Sequence, residues 1–433
     1  MVLAALLAGC GSASRSTTTH RQQPVTSAAR RPTAAATATA PTSAPPSPAL
    51  SALRAKLAGA LAAAGPQTGA LVYDLTADQQ LFAQRAGVGR PPASVEKLYT
   101  SVAVLSTLGP DARFQTSVLG AGHLGPGRVW HGDLYLRGGG DPTLGGGGFN
   151  RVWEEGYGPT AAELVRQLRA RGIRKVTGHV IGDASLFDSR RGVPSSGYAP
   201  DIGDLGGQLA ALTYDHGATL GSLSPGAFAA RELALTMRAD GIGAKAIRRT
   251  APTPAAAQPL AAVSSPPTSV LLKLTDVRSD DFFAEMLTKQ LGVRFGAGGT
   301  TSAGAAVIAS SVAALGIHPR IVDGSGLSRQ DSSSPRQVVD LLRDVWRTPN
   351  GRVLHPALPV VGVSGTVQQI GLYSGARGRC VAKTGTLNYV SNLAGYCDSR
   401  GGHTLAFALL VDGPDNVAAF KLIGKMVGAI ARY

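Results

Sequence analysis

Residues 380–397, CVAKTGTLNYVSNLAGYC, decide the reading of this 433-residue chain. They form two largely apolar runs around a polar centre, the pattern of two antiparallel strands joined by a turn. The midpoint between Cys380 and Cys397 falls between Asn388 and Tyr389, so a tight turn there sets the two cysteines opposite each other. A cross-strand disulfide is expected, with two unpaired buried thiols as the alternative. The next run, HTLAFALLVDG (403–413), adds a third sequential strand, and KLIGKMVGAIARY (421–433) reads as a closing helix. Within the first strand stands Lys383, and a lysine in an apolar strand needs a partner.

Candidates for what packs on this sheet lie upstream. SALRAKLAGALAAAG (51–65) has helical periodicity closed by Gly65, and TGALVYDLTADQQLFAQ (68–84) reads as two short strands around a polar turn. PPASVEKLYTSVAVLSTLG (91–109) places Val95, Leu98, Val102 and Leu105 at helical spacing, with Gly109 as the stop and Ser94 and Lys97 one turn apart at its start. In SDDFFAEMLTKQLG (279–292), Phe283, Ala284, Leu287 and Leu291 share one helix face, and Gly292 reads as the helix end. From 115 to 261 the texture is Gly-rich: RVWHGDLYLRGGGDPTL, a helix near TAAELVRQLRARG, then KVTGHVIGDASLFD. The expected fold is therefore α+β, an antiparallel sheet with helices formed by 49–114 and 262–433, carrying an inserted α+β module at 115–261. GGGDPTLGGGG (138–148) lacks the Gly-Lys-Ser/Thr of a phosphate loop, so no nucleotide is assigned to it.

Three short motifs occur in order: Ser94-Val95-Glu96-Lys97, Ser279-Asp280-Asp281 and Lys383-Thr384-Gly385. A lone Ser-x-x-Lys is weak, because Ser94 could cap a helix and Lys97 could lie on a solvated face. The ordered triplet carries the weight. With PASVEKLYT, LYLRGGGDPTL, GDASLFD, LAALTYDHG, DGSGLSRQD and AKTGTLNYVSNLAGY, the chain resembles the serine D-alanyl-D-alanine carboxypeptidase/endopeptidase family, the low-molecular-mass class C penicillin-binding proteins, over residues 51–433. The resemblance implies a penicillin-binding, serine β-lactamase-like transpeptidase domain with an insert between its first two motifs. It implies peptidoglycan stem peptides as substrates and β-lactams as covalent inhibitors. A β-lactamase of the same fold is the enzyme alternative, and the long insert argues against it.

Peptide hydrolysis through an acyl-enzyme needs a nucleophile with a base in reach, which Ser94 and Lys97 on one helix face supply. Lys97 must be neutral to accept the proton, and burial together with Lys383 nearby favours that form. The helix start turns the Ser94 N–H toward developing negative charge, and the resemblance adds the Thr386 N–H as the second oxyanion donor. Lys383, Thr384 and Thr386 would hold the free C-terminal carboxylate on the Lys-Thr-Gly strand that includes Gly385, and Ser279 would pass the proton to the departing D-alanine. Asp281 departs from the family, which usually has Asn there. An ionised Asp has no donor and pairs with Lys97, weakening the base. On local grounds alone, Asp280 and Asp281 cap a helix and complement its dipole. Two outcomes follow: an active DD-peptidase altered at Asp281, or a peptidoglycan- or penicillin-binding protein of low turnover.

The chain carries 42 Lys+Arg against 27 Asp+Glu, a net charge of +15 that favours anionic surroundings. Basic runs interleaved with aromatics, zinc-finger spacing and RNA-binding aromatic motifs do not occur, so nucleic acid is not expected as a partner. HExxH, CxxC and paired metal-ligand spacings are absent, and no metal or organic cofactor is expected. MVLAALLAGC (1–10) reads as the tail of an export signal, and its LAGC resembles a bacterial lipobox, which would make Cys10 a lipidated membrane anchor; an ordinary secretory signal is the alternative. Residues 11–48, rich in Ser, Thr, Ala and Pro, have no apolar period and read as a flexible tether with a reach of about 35 Å. Export to the cell envelope also gives Cys380 and Cys397 an oxidising compartment.

Overall fold

The computed structural model describes residues 47–218 and 221–433; the expected export signal, Cys10 and all but the end of the 11–48 tether lie outside the described residues. Helix α1 (Pro48–Ala64) starts where Ser47 Oγ accepts the Leu50 N–H and stops at Gly65, in a left-handed-side conformation at φ +93°, and it buries Leu53, Leu57 and Leu61. Strands β1 (Gly69–Asp74) and β2 (Gln79–Gln84) form an antiparallel pair. The single helix expected from residue 91 is instead a 3-10 turn over Ala93–Glu96 running into α2 (Lys97–Thr107). Pro91 and Pro92 offer no amide hydrogens, Ala93 takes φ +47°, and the Val95 N–H closes a tight turn on Pro92 O (3.2 Å).

The Gly-rich stretch builds a sheet of its own. Strand β3 (Gln115–Gly125) pairs antiparallel with β4 (Val129–Arg137). Helix α3 (Gly147–Trp153) and α4 (Ala161–Ala170) follow, the latter opened by a Thr160–Glu163 capping box. Short strands β5 (Lys175–Val176) and β6 (Val180–Asp183) both run parallel to β4. After α5 (Ile202–Leu205) and α6 (Pro225–Ala239), β7 (Ala246–Thr250) joins β6 and β8 (Gln258–Ser264) returns beside β3, giving the order β7-β6-β4-β3-β8. Leu164 and Leu168 of α4 and Leu233 and Met237 of α6 close a separate core over Val118, Leu134 and Leu136.

From α7 (Thr268–Arg278) the chain passes straight into α8 (Asp281–Phe295) and α9 (Thr301–Ala313), then α10 (Pro335–Trp346) and α11 (Pro349–Ala357). Helix α8 does not end at Gly292. It runs on to Phe295, and the glycine marks close packing: a Cβ there would stand 2.5 Å from Gly298 O and 3.0 Å from Gly304 N. Every residue from Phe282 to Gly292 is buried, so the helix is central rather than one-faced. Strands β9 (Cys380–Leu387), β10 (Val390–Asp398) and β11 (Thr404–Asp412) and helix α12 (Asn416–Ile430) complete the chain.

These three strands join the first two in the order β2-β1-β11-β10-β9, all antiparallel. Leu387 pairs with Val390 around Asn388-Tyr389, Cys380 stands opposite Cys397, and the two are disulfide-bonded. Period-two alternation sends Leu405, Phe407 and Leu409 to one face, against α1 and α12, and Ala406 and Ala408 to the other, against α2, α8 and α10. No helix among the described residues is long and apolar enough to cross a membrane.

Candidate active site

The three motifs meet where the edge strand β9 passes the 3-10 turn and the α7–α8 junction. Ser94 and Lys97 lie one tight turn apart, and Lys97 Nζ donates to Ser94 Oγ at 2.9 Å. The same ammonium donates to Ser325 O (2.7 Å) and is ion-paired with Asp281 Oδ1. Three acceptors thus take its three N–H groups, so in this resting arrangement Ser94 receives a hydrogen bond rather than giving one. Lys97 itself is wholly buried.

A sharp corner presents the second motif. Ser279 ends α7 at φ +59°, and Asp280 caps α8 by accepting the Phe283 N–H (2.9 Å). Asp281, the first residue of α8, then points at Lys97. Capping and the ion pair are therefore divided between neighbours: Asp280 serves the helix and Asp281 meets Lys97. Burial pushes the Asp281 carboxyl above its ordinary range, and Lys97 pulls it back in part.

Strand β9 supplies the third motif through its alternation. Lys383 and Gly385 face inward. Lys383 Nζ donates to Ser279 Oγ (2.7 Å) and to Thr384 O (3.1 Å). Burial, with Lys97 beside it, lowers Lys383 to about 7. A Cβ on Gly385 would collide with Pro92 O, so only glycine lets β9 approach the backbone that carries Ser94. Thr384 and Thr386 point the other way, Thr386 at the exposed rim and Thr384 Oγ1 donating to Thr366 Oγ1 (2.7 Å).

Four residues that the sequence reading did not single out complete this arrangement. Asn392 of β10, paired with Gly385 of β9, donates to Pro91 O (3.0 Å) and Pro92 O (2.8 Å) while accepting the Val411 N–H (3.0 Å). It ties the Ser94 turn to the sheet, and its signal was a lone amide in an apolar strand. Asp276, wholly buried one turn before Ser279, accepts from Ser101 Oγ (2.8 Å). Burial pushes it up to about 6, against the pull of Lys383. Glu285 of α8 accepts the Gly324 and Ser325 N–H groups (2.9 Å each), which aims Ser325 O at Lys97. Thr366, in a 3-10 turn (Gly365–Val367) behind β9, had no local signal at all.

Residues 51–202 and 203–433 match the family model described as D-Ala-D-Ala carboxypeptidase 3 (S13) family. The chain is 28% identical to a D-alanyl-D-alanine carboxypeptidase of Actinomadura sp., across 85% of this chain and 82% of that one. To a carboxypeptidase of Mycobacterium tuberculosis it is 30% identical, across 81% and 78%. Among solved structures, penicillin binding protein 4 of Haemophilus influenzae superposes with a TM-score of 0.73 at 20% identity, covering 87% of this chain and 99% of that one. A predatory peptidoglycan endopeptidase of Bdellovibrio bacteriovorus superposes at 0.51 and 16% identity, covering 84% and 92%. These two share the fold.

Proposed function

The chain belongs to the D-Ala-D-Ala carboxypeptidase 3 (S13) family of serine-type peptidases, and on that premise we propose that it hydrolyses the terminal D-Ala-D-Ala bond of peptidoglycan stem peptides through an acyl-enzyme on Ser94. The observation that carries this reading is the Ser94–Lys97 contact held inside Asp281 and Ser325 O. In the reaction, Ser94 Oγ attacks the carbonyl carbon as its proton passes to Lys97. The C–N bond then breaks, D-alanine leaves with a proton delivered by way of Ser279, and water hydrolyses the ester. The N–H groups of Ser94 and Thr386 would stabilise the oxyanion. The substrate carboxylate would lie on the Thr386 hydroxyl at the exposed rim, while Thr384, whose hydroxyl is given to Thr366, and Lys383, wholly buried and committed to Ser279, stand behind it rather than in direct contact.

Asp281 need not abolish this chemistry. A carboxyl raised by burial is easier to protonate when substrate is bound, and in that form it could donate a hydrogen bond as an amide would. The relatives' cell-wall chemistry supports a location in the envelope, and Cys10 is proposed as its lipid anchor. A fluorescent penicillin together with mass spectrometry of defined muropeptides tests the reading. Wild type should be labelled at Ser94 and release D-alanine, and Ser94→Ala should do neither. Labelling no stronger than that of Ser94→Ala would overturn it, and labelling without release would identify a low-turnover binding protein.

A further inference from the structure

Behind the catalytic sheet, α1 and α12 leave an open groove of about 1200 Å³ between them and the loop that follows Thr366. Its floor is apolar, with Ile370 and Phe420, and its cations are Lys56, Lys421, Lys425 and Arg432; no carboxylate among the described residues lines it. The surrounding sequence is equally one-sided. No Asp or Glu occurs from 345 to 397 or from 47 to 73, and Asp415 is the sole acid from 413 to 433. Tyr373 stands at the groove mouth, 99% exposed. It is held there by a hydrogen-bonded turn in which Ser374 N and Oγ donate to Gly371 O (2.9 and 2.8 Å). Val417 beside it is 66% exposed.

We propose that this groove docks the protein on an anionic phospholipid bilayer, with phosphate headgroups on Lys56, Lys421 and Lys425 and Tyr373, Val417 and Phe420 entering the headgroup–acyl boundary. The pairing of the two chemistries selects this partner. A soluble polyanion would use the cations and gain nothing from an apolar floor or from an aromatic side chain presented to solvent. A bilayer surface satisfies both, because apolar contact and attraction to anionic lipid add at that interface, where tyrosine is favoured. The site is independent of Ser94 chemistry, although Thr366 lines the groove and accepts from Thr384 of the active site.

The test is co-sedimentation of the full chain, made without lipidation, with vesicles of phosphatidylglycerol or of phosphatidylcholine. Wild type should partition onto the anionic vesicles at least tenfold more strongly. Lys56→Glu/Lys421→Glu/Lys425→Glu should lose on the order of tenfold or more in partitioning, since each surface cation contributes severalfold, and Tyr373→Ser should lose a smaller part with no change of charge. Both should keep wild-type melting and wild-type turnover of a soluble peptide. A control with the same charge change on the other sheet module, Arg166→Glu/Arg171→Glu/Lys175→Glu, should bind nearly as wild type. All of these proteins keep residues 1–46 unaltered, so any contribution of the apolar N-terminal run is common to them. Equal partitioning on both lipids, retention of binding by the groove variant, an equal loss in the control, or displacement by soluble polyphosphate as effective as by anionic vesicles would each overturn the proposal.

Discussion

At the scale of single residues, the site turns on one carboxylate. Asp281, which the resemblance sets where the family usually has an amide donor, holds Lys97 through an ion pair. Replacing it isosterically removes the charge while keeping the shape. Asp281→Asn is expected to speed acylation of Ser94 by about tenfold, equivalent to about 1.4 kcal/mol, and to move the acidic limb of the pH–rate profile lower. Stopped-flow acylation by a chromogenic β-lactam measures both, and an unchanged rate would place the side chain outside the chemistry. The residue identities of all three motifs could be read from the chain, because each is a short local pattern. Asp276 could not, since nothing in TSVLLKLTDVR shows that its carboxylate faces two lysines from distant segments; that is a property of burial.

At the scale of elements, the β9–β10 hairpin is where local reading and tertiary fit agree most closely. Alternation, the Asn388-Tyr389 turn and the facing cysteines all follow from a period of two. What alternation does not tell is why Asn392 interrupts an apolar strand. Its amide donates to Pro91 O and Pro92 O of the Ser94 turn and accepts from Val411 N of β11, which ties that turn to the sheet. Asn392→Ala should therefore lower stability by about 2–3 kcal/mol and slow acylation of Ser94 by about tenfold. Its pH–rate profile should keep the wild-type shape, because no titrating group is lost. Denaturant melts and the same β-lactam assay check this, and a shifted profile would mean that Asn392 acts on Lys97 directly. Helix α8 gives the opposite lesson. An apolar face closed by glycine reads as a one-faced helix that ends at Gly292, yet α8 is buried all round from Phe282 to Gly292 and its glycine is a contact point.

At the scale of the whole molecule, the Gly138–Leu144 loop of the second sheet is tied to the catalytic core. Gln290 of α8 bonds Gly139 O, and Gly140 N donates to Ala211 O (2.8 Å). Within that loop Asp141 is buried, accepts from Thr143 N (2.8 Å) and Oγ1 (2.6 Å), and is pushed by burial up to about 7. The folded state therefore holds this proton more tightly than the unfolded chain, so the associated stability is present below about pH 4 and is lost as pH rises toward 7. Asp141→Asn keeps the acceptor oxygen and cannot ionise. It should match wild type near pH 4 and exceed it by roughly 1–3 kcal/mol at pH 8, measured by melts across that range. A constant difference between the two would show that Asp141 does not titrate in this window.

By itself, the sequence determined what depends on neighbours along the chain: helices from their periodicity and caps, the hairpin from alternation, and the order of the three short motifs. Only the tertiary structure decided what depends on distant segments meeting. It brought Asp281 onto Lys97 across 184 residues, set Lys383 under Ser279, pinned the Ser94 turn by Asn392 and gathered the cations of α1 and α12 around one groove. The reason is physical: hydrogen-bond and ion-pair energies fall off within a few ångströms, and which groups come that close is set by how the helices and two sheets pack.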